Sequence, residues 1–212
     1  MTAVARPEAP SRGLDGERTT VERIRTAAME SFAAHGSAAT TMRGVAAAAG
    51  VSLGLVQHHF TTKAGLIRAV DDYVMSLLIA AMSQPLSDDT TDSVSEIGGR
   101  ITKLISEQPD VAAYLGRVLV DGSSFGATVF DTLLALGTAR WHQRIERGEV
   151  RPDVDITWAA INGLVLPLGA ISLRAHLDRH LPAPFTSEGQ VDRWQHAVNS
   201  LLREGLFRPS AG

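Results

Sequence analysis

The sequence predicts an all-α protein of about nine helices. Three observations carry this expectation. Apolar residues recur at three- and four-residue spacing along most of the chain. Ser, Thr and Asp residues stand just before these runs, with Gly or Pro after them. No stretch alternates apolar and polar residues over several positions, and aromatic residues make up only 5% of the 212.

The elements follow in order. Residues 1–18 carry Pro7, Pro10, Gly13 and Gly16 with mixed charges and no apolar stretch, and read as a disordered leader rather than a signal sequence. Thr19 or Thr20 then caps a helix whose apolar positions are Val21, Ile24, Ala28 and Phe32 and which stops at Gly36. Thr41 caps a short helix, Met42–Ala49, in which Val45, Ala46 and Ala49 share one face, and Gly50 supplies the turn. Ser52 caps Leu53–His59, and Thr62 caps a helix from Lys63 to about Ser83, ahead of Pro85. Five more follow at Ser93–Gln108, Asp110–Asp121, Phe125–Arg147, Asp155–His180 and Glu188–Gly205, each bounded by Gly, Pro or Asp. The longest apolar stretch, Leu164–Leu173, is interrupted by Pro167 and falls short of the ~20 residues that span a bilayer. A soluble, cytoplasmic protein with no membrane partner is expected.

Composition narrows the function classes. A chain with 44% hydrophobic and 20% charged residues and a mean hydropathy of +0.04 has the material for a core. Zero Cys excludes disulfides, thiolate metal sites and a cysteine nucleophile, and fits a reducing compartment. The net charge of −3 is unevenly spread. Residues 1–70 hold eight basic against five acidic side chains, a net of +3, and the remainder holds 12 against 18, a net of −6. The basic end is the candidate for a polyanion, and the acidic bulk has another task.

The window Met42–Thr61, MRGVAAAAGVSLGLVQHHFT, holds the most specific pattern. Ala46, Gly50 and Val56 have the spacing of a helix-turn-helix: a small residue where two helices cross, a glycine for the left-handed turn, an apolar anchor beyond it. With these facing inward, Ser52, Leu53, Gly54, Gln57 and His58 lie on the outer face of the helix that would enter a major groove. An alanine-rich helical hairpin has the same local look.

More residues fit than a hairpin requires. Thr40-Thr41-Met42-Arg43 into Val45-Ala46, then Ala49-Gly50-Val51-Ser52, His59-Phe60 and Lys63-Ala64-Gly65-Leu66 resemble the DNA-binding domain of the tetracycline-repressor (TetR) family of bacterial regulators over about residues 19–66. The resemblance implies an effector-binding and dimerisation domain over 67–208, a homodimer, a double-stranded DNA operator and a small-molecule effector. Two positions depart from the family pattern: Gln57 stands where a Tyr is usual, and Leu53 where a Lys or similar polar residue is. Gln57 can meet a phosphate through its amide or read an adenine edge; Leu53 offers only apolar contact to a thymine methyl.

The DNA-binding candidates are therefore Thr41, Arg43, Ser52, Leu53, Gly54, Gln57, His58 and Lys63. Thr41 and Ser52 sit at helix N-termini, where a hydroxyl both caps and favours a phosphate oxygen. Lys63 resembles the family's phosphate-contacting lysine, and Arg43 is the other basic side chain of the reader. The resemblance places the dimer contacts on the last two long helices, where Ile156–Leu177 and Trp194, Val198, Leu201 and Leu202 form apolar stripes that serve either an interface or an internal core.

The ligand-pocket candidates are Tyr114, Arg117 and Asp121, on one helix face, with Trp141, His142, Trp158 and Asn162 on the neighbouring long helices. Arg117 and Asp121 equally make an ordinary i, i+4 ion pair. No metal and no cofactor is assigned. His58 and His59 point about 100° apart on a helix. His176 and His180 share a face, but Asp178 and Asp192 are the evident carboxylates nearby, and histidines at a helix C-terminus are favoured by its dipole. The rival reading is a serine hydrolase: Gly122-Ser123-Ser124-Phe125-Gly126 fits G-x-S-x-G with Ser124 as nucleophile. That elbow needs a strand before it, and no convincing buried strands are found. A ligand-responsive DNA-binding regulator, a repressor and not an enzyme, is the expectation.

Overall fold

The computed structural model describes residues 12–83 and 93–206, with the side chains of 20–83, 97 and 99–202. Among these are ten helices and no strand: α1 (Arg12–Ala39), α2 (Met42–Ala49), α3 (Leu53–Phe60), α4 (Lys63–Met82), α5 (Ser93–Glu107), α6 (Pro109–Val120), α7 (Ser124–Glu146), α8 (Ile156–Ser172), α9 (Arg174–Leu177) and α10 (Glu188–Leu206). Residues 1–11 of the expected leader and positions 207 and 208 of the expected second domain lie outside the described residues. Residues 12–18, expected to be disordered, are instead the first turns of α1. Gly36, with φ 79° and ψ 156°, breaks α1 where the sequence stops it.

Local chemistry sets the boundaries. Thr41, Ser52, Thr62, Ser123 and Asp155 each accept a hydrogen bond from the backbone N–H three residues on, closing the first turn of a helix. The helix expected over Asp155–His180 breaks at Leu173, which leaves helical geometry. Beyond it, Leu177, Leu181 and Phe185 fold back onto Ile105, Ala170 and Val191, and the Asp178 carboxylate accepts from the Phe185 backbone at 2.6 Å. Packing into this second cluster outweighs straight continuation of the helix.

The main apolar cluster runs from Ile24, Phe32, Val45 and Val56 through Leu66, Val70 and Val74 to Val111, Leu115 and Val129. It crosses the expected boundary at residue 66 without a gap. The α1 helix lies against α2, α4 and α6, so the N-terminal helices sit directly on the second part. Tyr114 is nearly fully buried at this junction. Its ring lies 6.3 Å from Phe32 and 6.2 Å from Phe125, and its hydroxyl donates to Asp71 on α4 at 2.6 Å. Burial and the Asp71 carboxylate both push the Tyr114 hydroxyl far up in pKa, so it remains a neutral donor.

The G-x-S-x-G stretch is a corner between two helices. Val118–Val120 is the end of α6 rather than a strand, Gly122 takes φ 61°, and Ser124 merely begins α7. Ser123 accepts from the Gly126 N–H and donates to the Val118 carbonyl at 3.1 Å. Gly126 lies against that same carbonyl, leaving no room for a side chain. Both glycines and the serine thus serve the turn, and the nucleophile reading loses its geometry. No single helix among the described residues is long and apolar enough to cross a membrane.

Gly126→Ala should destabilise the fold by about 1–3 kcal/mol, because α6 and α7 must separate to admit the methyl. At roughly 2–4 °C per kcal/mol the loss is visible in thermal denaturation. Gly137→Ala, where a Cβ meets nothing within 4 Å, should leave the midpoint unchanged or raise it.

Candidate nucleic-acid interface and ligand cavity

The reader is built from its buried side outward. Val45, Ala46 and Ala49 of α2 and Val56 and Phe60 of α3 face α1. Gly50 adopts φ 65° and ψ 39°, and its N–H reaches the carbonyls of Ala46 and Ala47, which reverses the chain in a few residues. Arg23 on α1, which the sequence reading overlooked, donates to the Ala49 carbonyl at 2.6 Å and so ties the turn to the first helix. Thr40 is buried and donates to the carbonyls of Ser31 and Gly36, fixing the entry to α2.

The other face carries the expected contact residues. Thr41, Arg43, Ser52, Gly54, Gln57 and His58 are exposed, and five of these six lie along α3 and the two helix N-termini. The hydroxyls of Thr41 and Ser52 accept from Gly44 and Leu55 as plain caps. Lys63 donates to the Ala38 carbonyl at 2.9 Å, which pins the start of α4 to the end of α1. An ammonium has three donors, so that bond leaves others for a phosphate. Leu53 departs from expectation: it is half-buried and packs on the reader core, while Leu55 is the more exposed apolar residue of α3. His58 and His59 stack edge to face with ring centroids 5.2 Å apart.

Helices α4, α5, α6, α7, α8 and α10 enclose a cavity of about 180 Å³. Of the seven expected pocket residues, Trp141 lines it. The other six lie elsewhere, and the reasons are geometric. Tyr114 is held in the junction described above. Arg117 pairs with Asp121 at 2.8 Å and lays its guanidinium against Gly36. His142, one residue past Trp141, is rotated outward, and Trp158 and Asn162 share the exposed face of α8. What sequence reasoning missed is the row Arg140 and Arg144, one turn apart on α7, with Gln195 and Asn199 one turn apart on α10. Arg140 donates to the Met82 carbonyl at the end of α4. Arg144 is buried beside Glu149, 3.4 Å away; burial pulls its pKa down and Glu149 pushes it back up.

Two further expectations change. On α10, Trp194, Val198 and Leu202 line the cavity rather than an outer stripe, and of that set Leu201 faces out. On α8 the outward apolar residues are Trp158, Val165 and Leu173. The side chains around His176 and His180 are otherwise engaged: Arg179 donates to His176, and Asp178 holds the Phe185 backbone.

Residues 24–70 match the family model described as bacterial regulatory proteins, tetR family. The chain is 31% identical over 134 residues to the HTH-type transcriptional regulatory protein RaaS of Mycobacterium tuberculosis, a match that spans 63% of this chain and 60% of that relative. Two solved structures share the fold. A TetR transcriptional regulator from Chloroflexus aurantiacus matches with a TM-score of 0.69 at 18% identity, over 92% of this chain and all of that one. SmeT, the repressor of the Stenotrophomonas maltophilia multidrug efflux pump SmeDEF, matches with 0.66 at 19% identity, over 92% and 93%.

Replacing Arg23 by Ala should cost about 1–2 kcal/mol through the lost charge-assisted bond to Ala49. The effect is local, so amide exchange at Gly50 and Val51 should accelerate more than exchange in α6. Uniform acceleration, or none, would show that Arg23 does not hold the turn.

Proposed function

Since the chain belongs to the tetR family of bacterial regulatory proteins, we propose that it is a cytoplasmic, ligand-responsive repressor of transcription. It binds a palindromic operator as a homodimer and leaves it when a small molecule fills the cavity. The observation that carries this reading is the exposed, capped face of α3, with Gly54, Gln57 and His58 presented to solvent between the N-termini marked by Thr41 and Ser52.

On DNA, the backbone N–H groups at those N-termini, with Arg43 and Lys63, meet phosphates and set the register; Gln57 and His58 meet base edges. One recognition helix contacts too few bases to select a site, so two must act together, about 34–36 Å apart. The outward apolar residues of α8, with Leu201 of α10, supply the face for the second copy; Trp158 is 59% exposed and Leu201 62%. Filling the cavity moves the C-terminal half of α4, and with it the separation of the readers. A coupling of about 1–3 kcal/mol would lower DNA affinity some 5- to 150-fold.

Selection of bound fragments from genomic DNA tests the proposal: a palindrome should be enriched, and failure to enrich one would refute it. Against that site, Lys63→Ala should weaken binding to all sequences alike and flatten the salt dependence by about one unit, whereas Gln57→Ala should relax preference at particular bases. If the two behave alike, positioning and reading are not divided between them.

A further inference from the structure

Gly54 and Leu55 stand side by side in the first turn of α3, and both are exposed. The fold tolerates a side chain at 54. The backbone there is ordinary helix, and a Cβ built on it would meet the Ser52 hydroxyl at 3.9 Å, an ordinary contact. Alanine is also much the better helix former, so the glycine carries a cost that local structure does not ask for. What its bare Cα favours is close approach from outside, and in a regulator of the tetR family the approaching surface is DNA.

Leu55 shares that face. At about 100° per residue, His58 falls between the two, about 40° from Gly54 and about 60° from Leu55. The Leu55 N–H donates to the Ser52 hydroxyl at 3.2 Å, so its side chain leaves from a capped first turn, the part of a recognition helix that meets base edges. Val56 and Phe60 anchor the opposite side in the reader core. A leucine side chain neither donates nor accepts a hydrogen bond. Among the groups that distinguish base pairs in the major groove, the thymine 5-methyl is the apolar one; the amino, carbonyl and ring-nitrogen groups would lose their hydrogen bonds to water against a leucine.

We infer that Leu55 is a specificity-determining residue: it packs on the 5-methyl of one thymine in each half-site, and Gly54 lets α3 come close enough for it to do so. This rests on the proposed operator binding. The apolar contact expected of Leu53 passes to Leu55, because Leu53 is half-buried against the reader core.

Uracil is thymine without that methyl, so exchanging one for the other tests a single group. On duplexes of the enriched palindrome, each thymine is replaced by uracil in both half-sites together, and binding of the full chain is followed by fluorescence anisotropy. At one symmetric pair of positions the exchange should weaken binding about 15-fold, roughly fourfold for each methyl. Leu55→Ala should bind the thymine and uracil duplexes there alike, with its melting midpoint unchanged, and Leu55→Met should keep the preference. Gly54→Ala should hold or raise the melting midpoint and yet weaken operator binding. A palindrome bound equally well with uracil at every position, or a uracil penalty that persists in Leu55→Ala, would overturn the contact. Gly54→Ala binding as tightly as the unaltered chain would overturn the close approach. Each of these results leaves operator binding itself standing, whereas enrichment of no palindrome overturns both.

Discussion

Leu66, Val70, Val74, Leu78 and Met82 form a row along α4, each four residues from the last and all buried. Four residues advance about 400° around a helix, so each step drifts roughly 40° from the one before. Over the row the buried face turns through roughly 160°. The N-terminal end of α4 therefore packs on α1 and α3, and the same continuous row reaches the cavity and the neighbourhood of α5 and α7. One helix is core to both halves, and neither half can repack without it.

Polar contacts grip that helix along its length. Lys63 holds its start to the Ala38 carbonyl, Arg25 of α1 lies 3.7 Å over the Tyr73 ring, Tyr114 of α6 donates to Asp71, and Arg140 of α7 holds its end. Close-packed interiors shift between discrete arrangements rather than deform continuously. In the proposed function, a change at the Met82 end would reach the reader through these grips on α4. The uneven charge fits the same division. A chain of net −3 has a limited electrostatic footprint, so under the proposed function helix N-termini and a few cations would supply the phosphate contacts, and binding should be salt-sensitive.

The legible parts of the structure were those fixed by nearby residues. Thr41, Ser52 and Thr62 cap the helices they were expected to cap, and Gly50 adopts the left-handed turn expected of it, because each of these depends on atoms within a few residues. The pocket was legible only in Trp141. Which face of a long helix turns inward is decided by its neighbours: on α8 the small Ala159 and Ala160 pack inside and send Trp158 and Asn162 outward, against the intuition that an indole is buried. On α10 a stripe that suited an interface equally suited a cavity wall, and Trp194, Val198 and Leu202 took the wall. Arg140 and Arg144 were not singled out, since sequence carries no sign that they would line a cavity with residues of α4 and α10. The break at Leu173 was hidden for a like reason: it follows from the return of Phe185 onto Ile105, a contact between residues 80 positions apart.

The central claim, that α4 couples the cavity to the spacing of two readers, is open to a direct distance measurement. The chain has no Cys, so Ala48→Cys on the exposed side of α2 gives one spin label per protomer, and double electron–electron resonance reports the distance between copies. The account predicts a clear intermolecular distance that narrows in distribution on the selected operator and shifts away from that value when a small molecule that fills the cavity is added. A trace with no dipolar modulation, or one distribution common to all three states, would contradict it.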